Sequence, residues 1–466
     1  MFLRHDDKTG LAKVDDPKGV EAMVKTLDER LARYIPPRET WTPAEEALFV
    51  PVDPLRVPLG EAQVMQLRAI KHNFERHYSF NRFYRLYCEK REFSPKDIRT
   101  VEDLDKIPLL SDSTFKRHPS GIDFAHWIAN IYTGELPTVI LESTNPMFDE
   151  VINAFNAAGM VVTYSSGTSG RHTVIPRDMR TYLTQQYAHA KLKTCLSDLM
   201  TADHVLLFWP KWTETNLIIG RDMAHKIEML NDLRYASDLK ICADVALKAM
   251  TTQGQSQASR SAQEAHREII EIAIEWLERY ATNTDRIALE GPPFLILELL
   301  EALDREGRRF DFGERGMIGT AGGWKVSERR RISAADFRQR VERVLGIPES
   351  NCSEWYGSVE MSGMVHTCPE GHYFHLPYTW FKPLVLDSSL MPVGYGRRGR
   401  FAFLDGLATS YPGFIITGDV VRMLERCPVC DRPGPVLEPD IHRAPSVEMR
   451  GCAELLRRLL VQQHRA

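Results

Sequence analysis

At 466 residues, with 43% hydrophobic and 26% charged residues, the chain has the composition of an ordinary globular protein and is long enough for two or three subdomains. A formal net charge of −4 excludes a globally basic surface, so nucleic acid is not an expected partner. No apolar run approaches the roughly 18–20 residues that span a bilayer, and MFLRHDDKTG lacks the apolar stretch of a leader, so the expectation is a cytoplasmic protein with no membrane span.

Residues 1–60 carry one predicted helix, KGVEAMVKTLDERLARYI, followed by proline-broken segments, and read as an arm wrapped around a larger body. From Gly60 to about Lys90, apolar residues recur at helical spacing, and Phe74, Tyr78, Phe80, Phe83, Tyr84 and Tyr87 are expected in the core. Short β-branched runs then alternate with amphipathic helices: VVTYSS, a helix near 178–199, HVLLFWP, a helix at 262–280, RIALEGP, FLILELLEAL, MIGTAGG and a helix near 328–345. That alternation predicts an α/β domain with a mainly parallel sheet flanked by helices over 61–380. The apolar-poor segment 251–263 reads as a loop. From 381 to 438 strands and turns dominate, predicting a smaller β-rich subdomain, and 439–466 forms a short C-terminal stub.

The segment TYSSGTSGRHT follows a predicted strand and precedes a predicted helix, so its backbone N–H groups and hydroxyls can converge on an anion while its glycines permit close approach. It does not match the GxxxxGK[ST] loop of nucleoside triphosphatases. Downstream, in fixed order, come GTAGGWK at 319–325, WYGSVEM at 355–361 and ITGDVV at 416–421.

SSGTSG, then YGSVE, then TGD resembles the adenylate-forming superfamily of acyl-CoA synthetases, luciferases and adenylation domains, over roughly residues 65–450. The segment FNRFYRLYCEKREFSPKDIRTVEDLDKIPLLSDSTFK resembles the phenylacetate-CoA ligase branch, and GGWK the acyl-protein synthetases of bacterial luminescence. The resemblance implies ATP and Mg²⁺ as cofactors. It implies that Ser165, Ser166, Gly167, Thr168, Ser169 and Gly170 hold the β- and γ-phosphates, with Thr168 and Ser169 among the catalytic donors. Gly322, Gly323 and Trp324 would border the adenine pocket, with Tyr356 against the base and Gly357 allowing close approach. Glu360 would bind Mg²⁺ and act in catalysis, Asp419 would accept from the ribose hydroxyls, and Arg443 would correspond to the hinge arginine. The chemistry agrees: attack of a carboxylate on phosphorus needs positioned donors and a cation, and a diol is best held by an ionised acceptor.

The chain departs from these relatives in two places. Arg171, His172 and Thr173 occupy the ground where relatives carry Pro-Lys, which leaves Arg171 or Arg177 as the candidate cation. Relatives also continue into a mobile C-terminal domain with a catalytic lysine, whereas here the sequence after Arg443 reads as one amphipathic helix, so the lid domain is expected to be absent or a stub.

CPVC at 427–430 and HTCPEGHYFH at 366–375 supply three thiolates and an imidazole for a closed tetrahedral zinc site. Cys368, Cys427 and Cys430 are expected ligands with either His372 or His375, and the Cys-to-His step of some phenylacetate-CoA ligase relatives favours His375. Cysteines 88, 195, 242 and 352 read as packing, Cys452 as structural, and His366 as a hydrogen-bonded loop histidine. Trp209, Lys211 and Trp212 are candidates to contact an aromatic or anionic acid. The expected activity is conversion of a carboxylic acid and ATP to an acyl-adenylate and pyrophosphate, then acyl transfer to a thiol or amine, possibly on an acyl-accepting protein or carrier. The alternatives are a conventional acyl- or aryl-CoA ligase and a non-catalytic nucleotide-binding scaffold.

Overall fold

A computed structural model describes residues 17–165, 171–209, 211–236, 255–324, 329–439 and 441–444. The strands, in chain order, are β1 (Leu110–Ser111), β2 (Val161–Tyr164), β3 (Val174–Arg177), β4 (His204–Leu207), β5 (Asp232–Tyr235), β6 (Ile287–Gly291), β7 (Gly316–Ala321) and β8 (Cys352–Tyr356). There follow β9 (Val365–Thr367), β10 (Phe374–His375), β11 (Phe381–Leu386), β12 (Arg398–Asp405), β13 (Phe414–Leu424), β14 (Val436–Leu437) and β15 (His442–Arg443). β5, β4, β6, β7 and β8 are hydrogen-bonded in that order and all parallel. From β8 onward the same sheet runs antiparallel through β9, β10, β14, β13, β12 and β11. The parallel half and its helices answer the α/β expectation.

Side-chain alternation assigns the two faces of the parallel half. Leu206, Ile287, Leu289 and Ile318 point to one side, into a core with the helices Gln255–Tyr280, Pro293–Arg305 and Ala334–Leu345. On the other side the helix Met179–Leu196 is buried nearly all round, although it carries Gln185, Gln186, His189, Lys191 and Lys193. Asp178 caps it, accepting from the Thr181 N–H at 2.6 Å.

The helix Pro17–Arg30 and the segment to Leu55 lie against this buried helix. Tyr187 donates to Asp28, the Lys191 ammonium donates to the Leu48 carbonyl (2.9 Å), and Arg180 pairs with Glu45. The aromatic region divides into two helices, Leu59–Phe80 and Arg82–Glu89, because Asn81 leaves helical geometry and caps the second through the Tyr84 N–H (2.8 Å). Phe74, Phe83, Tyr84 and Tyr87 are buried as expected, but Phe80 at the break is exposed. The predicted loop at 251–263 is also corrected: from Gln255 onward it belongs to the helix Gln255–Tyr280, while 251–254 lie outside the described residues. Among the described residues no helix is long and apolar enough to cross a membrane.

Candidate active site

Asp419 sits mid-way along β13, the longest strand, where β15 pairs it directly with Arg443. Both carboxylate oxygens are engaged. The Tyr356 hydroxyl donates to Oδ2 at 2.7 Å, and the exposed Arg443 guanidinium lies 3.2 Å from Oδ1. The Asp419 N–H donates to Thr417 Oγ1 (3.1 Å), so the TGD segment is self-braced. Burial and the neighbouring Asp419 charge push the Tyr356 phenol well above its usual value, keeping it a donor. A Cβ on Gly418 would lie 2.9 Å from the Arg443 guanidinium, so the glycine lets that side chain lie flat across the strand.

Tyr356 ends β8, and the chain then turns through Gly357 and Glu360 into β9. A Cβ on Gly357 would come within 2.9 Å of the Met364 side chain, so the turn closes on itself only with glycine. Glu360 is buried, which raises its pKa; Lys116 opposes that shift and Asp112 adds to it. Asp112 and Lys116 form an ion pair beside β13, and the Asp112 N–H donates to the Ile416 carbonyl (3.0 Å). Asp419, Tyr356, Glu360 and Asp112 together hold the pKa of the exposed Arg443 above the usual arginine value. Four segments distant in sequence thus share one electrostatic field. Asp112 and Lys116 are members that the sequence reading missed; the signal was SDSTFK, quoted only as part of a family segment.

The Ser/Thr/Gly segment does not join a strand to a helix as expected; it joins β2 to β3 in an antiparallel hairpin, and the helix begins after β3. Ser166, Gly167, Thr168, Ser169 and Gly170 lie outside the described residues. The base of the hairpin is closed by Ser165 and Thr173: the Ser165 N–H donates to the Thr173 carbonyl (2.9 Å), the Thr173 N–H to Ser165 Oγ (2.9 Å), and His172 Nδ1 bonds the Ser165 carbonyl (2.6 Å). Arg177 is fully buried and donates to the Thr163 hydroxyl (2.9 Å) and the Val359 carbonyl (2.5 Å). It therefore ties the hairpin to the residue before Glu360 and does not reach out as a free cation. Arg171 is exposed.

Gly322 and Gly323 follow β7 with φ of 79° and 62°, a left-handed turn that suits glycine. Trp324 packs into the helix-side core rather than beside Tyr356. Trp209 is buried; Lys211 is placed outside any strand, and the Trp212 side chain, Cys242, Cys452 and residues 445–466 of the expected 439–466 stub lie outside the described side chains. Cys88, Cys195 and Cys352 are buried, as expected of packing residues. His366 is not in a loop: it lies in β9, fully buried, and neither ring nitrogen has a hydrogen-bond partner.

Cys368, His375, Cys427 and Cys430 converge with all four ligand atoms within 4.8 Å of one another. Cys430 Sγ is 3.4 Å from His375 Nε2, and Cys368 Sγ is 3.9 Å from Cys427 Sγ. A tetrahedral ion with bonds near 2.3 Å sets its sulfurs roughly 3.8 Å apart, so the donor set and the spacing fit zinc. His372, the other candidate, has a left-handed backbone (φ 55°) and is not part of this group.

Residues 240–461 match the acyl-protein synthetase (LuxE) family. The long-chain-fatty-acid–luciferin-component ligase of Vibrio harveyi is 24% identical over 403 residues, 86% of this chain and 89% of the relative. The enzyme of that name from Aliivibrio fischeri is 29% identical over 188 residues, 39% of this chain and 48% of the relative. Among solved structures, 2-hydroxyisobutyryl-CoA ligase in an open conformation with its acyl-adenylate and CoA aligns with a TM-score of 0.56 at 15% identity, covering 84% of this chain and 71% of that one. The same ligase in its thioesterification state aligns with a TM-score of 0.56 at 16% identity, covering 83% and 69%. The fold, the ordered motifs and these matches agree: the chain has the fold of the adenylate-forming CoA ligases and is similar, over its C-terminal half, to the acyl-protein synthetases.

Proposed function

We propose that this chain activates a carboxylic acid with ATP to an acyl-adenylate and pyrophosphate, then passes the acyl group to a thiol or amine acceptor. The observation that carries this reading is the convergence of Tyr356, Asp419 and Arg443 with the Glu360 turn, drawn from β8, β13 and β15. Asp419 holds the ribose, with the Tyr356 hydroxyl fixing its orientation. Gly357 permits close approach of the base, and the Ser/Thr/Gly segment Ser165 to Gly170 cradles the phosphates. Glu360 supplies the buried carboxylate that would hold Mg²⁺, which when bound neutralises charge on the phosphates. Lys116 takes the cationic role left open by the missing Pro-Lys.

In the first step a carboxylate oxygen attacks the α-phosphorus, and the bond to the bridging oxygen breaks with its electron pair leaving on pyrophosphate. The acyl carbonyl then receives the acceptor's nucleophile and AMP departs. The relatives' names point to long-chain fatty acids as substrates and to a protein component as acceptor.

The test is ATP–pyrophosphate exchange with Mg²⁺ and a broad panel of carboxylic acids. Exchange above background is expected for at least one acid, and Asp419→Ala is expected to lower kcat/KM for ATP by about a hundredfold. Binding of ATP with no exchange for any acid would leave a nucleotide-binding scaffold instead. A CoA thioester as sole product would identify a conventional acyl-CoA ligase.

The Cys368, His375, Cys427 and Cys430 group is read as a structural zinc clip, closed to substrate because all four positions are protein ligands. It ties β10 and the turn after β9 to the turn before β14. About one zinc per chain is expected in the purified protein, with stripping by a chelator lowering the melting temperature. Metal-free protein of unchanged stability would remove the clip.

A further inference from the structure

Arg432 follows Cys430 by two residues, and its side chain is fully buried. Its Nη1 bonds both carboxylate oxygens of Glu370, at 3.1 and 3.3 Å. Among the described residues Nε and Nη2 have no hydrogen-bond partner. A guanidinium keeps its charge at any ordinary pH, so burying it with donors unmatched is costly. Burial works against that charge, yet Glu370, Cys430 and Asp53 lie close enough to hold the Arg432 pKa above the usual arginine value.

The cysteine group supplies what these donors need. Cys368, Cys427 and Cys430 ligate zinc as thiolates, and with a neutral His375 they set three negative charges against a divalent ion. One negative charge is left over. Thiolate sulfur also accepts N–H bonds, and the Cys430 N–H already points to Cys427 Sγ at 3.5 Å. A buried guanidinium beside Cys430 brings the matching positive charge together with the unmatched donors.

The same turn holds the N-terminal arm by two routes. Arg56 Nη1 lies 2.9 Å from Oδ1 of Asp431, the residue between Cys430 and Arg432, and Arg56 Nε lies 3.5 Å from Oδ2 of Asp53. By the second route the Tyr378 hydroxyl donates to the Val57 carbonyl at 2.6 Å, and Gly434 packs so tightly on the Tyr378 ring that a Cβ has no space there. Further up the arm, the Leu48 carbonyl accepts from Lys191 of the helix Met179–Leu196 at 2.9 Å. Residues 52–57 therefore join the cysteine group to that helix.

Residues 425–435, between β13 and β14, form neither helix nor strand, so no backbone ladder fixes the turn that carries Asp431 and Gly434. The Asp431 side chain is 80% exposed, and an ion pair of that kind contributes little by itself. The shape of the turn, set by its four ligand side chains, is what seats the arm.

We propose that the zinc-loaded clip is the dock of the N-terminal arm, with Arg432 as its charge partner, and that residues 52–57 stay seated only while Cys368, His375, Cys427 and Cys430 hold the metal. This rests on the structural zinc reading above, and zinc analysis separates the two.

Hydrogen exchange of the full chain, followed by mass spectrometry in zinc-loaded and chelator-stripped protein, tests the docking. Stripping is expected to speed exchange over residues 52–57 by about tenfold or more while the helix Pro293–Arg305 stays unchanged. Competition with a chelating indicator tests Arg432: Arg432→Met is expected to weaken zinc binding by about tenfold, and Arg432→Lys, which keeps the charge, to stay within about threefold of the parent chain. Circular dichroism checks that both variants are folded. Unchanged exchange over 52–57 on stripping, an equal rise in the control helix, unchanged zinc affinity in folded Arg432→Met, or an equal loss in both variants overturns the proposal. A chain that binds no zinc overturns the clip and this inference together, whereas bound zinc with an arm indifferent to it removes only the inference.

Discussion

Lys116 illustrates how one side chain takes on a role that the linear motif leaves vacant. In the function proposed above the cation is Lys116, which is paired with Asp112 and lowers the raised pKa of Glu360. Lys116→Met is expected to reduce exchange by about tenfold to a hundredfold, with a smaller effect on nucleotide binding in an equilibrium assay. Tyr356→Phe removes the hydroxyl that fixes Asp419, and the expected outcome is a raised KM for ATP with kcat little changed, as for loss of a ground-state contact. Equal losses in kcat and kcat/KM would instead assign the phenol to the transition state. Neither Lys116 nor Asp112 stands out in the sequence, because a lone SDSTFK has no spacing rule tying it to YGSVE. Their meeting is a property of β1 pairing in parallel with β13, a contact between segments 305 residues apart, as in Leu110 with Ile415.

At the scale of elements, β8 carries Tyr356 at its end, and its packing beside β7 depends on glycine. Gly319→Ala would drive a methyl into the Trp355 ring, and the cost expected is about 1–3 kcal/mol, read as a lowered midpoint in denaturant. The parallel strands and their helices were legible because β-branched runs and helical periodicity report local preference and burial. That Tyr356, Glu360, Asp419 and Arg443 share one neighbourhood was legible from the order of the YGSVE and TGD motifs, which lie on β8, the turn after it and β13. The hairpin was not: TYSSGTSGRHTVIPR reads as strand, loop and helix start until β3 is seen to return on β2. The start of the Gln255–Tyr280 helix was missed for a related reason, since polar glutamines and serines hide a helix whose apolar face begins only further along. His366 was misread because nothing local distinguishes a buried strand histidine from one in a loop.

For the whole molecule, buried carboxyls set a pH dependence of stability. Asp405 accepts from the Ser362 and Leu407 N–H groups, yet burial outweighs both and raises its pKa to about 6. A raised carboxyl pKa means that the folded state binds the proton more tightly, so its contribution is full below about pH 4 and is lost as pH rises through about 6. Asp405→Asn is therefore expected to gain stability relative to the parent chain between those limits, by about 3 kcal/mol if no other group responds. Chemical denaturation at a series of pH values measures the difference; parallel curves would show that Asp405 titrates normally.

The pairing of β13 with β15 has a consequence for how a nucleotide gains entry. Asp419 is already engaged on both oxygens, by a phenol on one and a guanidinium on the other, and the Ala444 N–H donates to the Gly418 carbonyl at 2.8 Å. In the proposed function a ribose diol shares Asp419 with the Tyr356 phenol and competes with the exposed Arg443 guanidinium on Oδ1, so binding of the sugar bears on the pairing of β13 with β15. The short strand that gives way in that competition becomes a latch: nucleotide binding is expected to speed hydrogen exchange at Ala444 while slowing it around Tyr356. Unaltered exchange at Ala444 under saturating nucleotide would mean that the sugar is accommodated with the latch still closed.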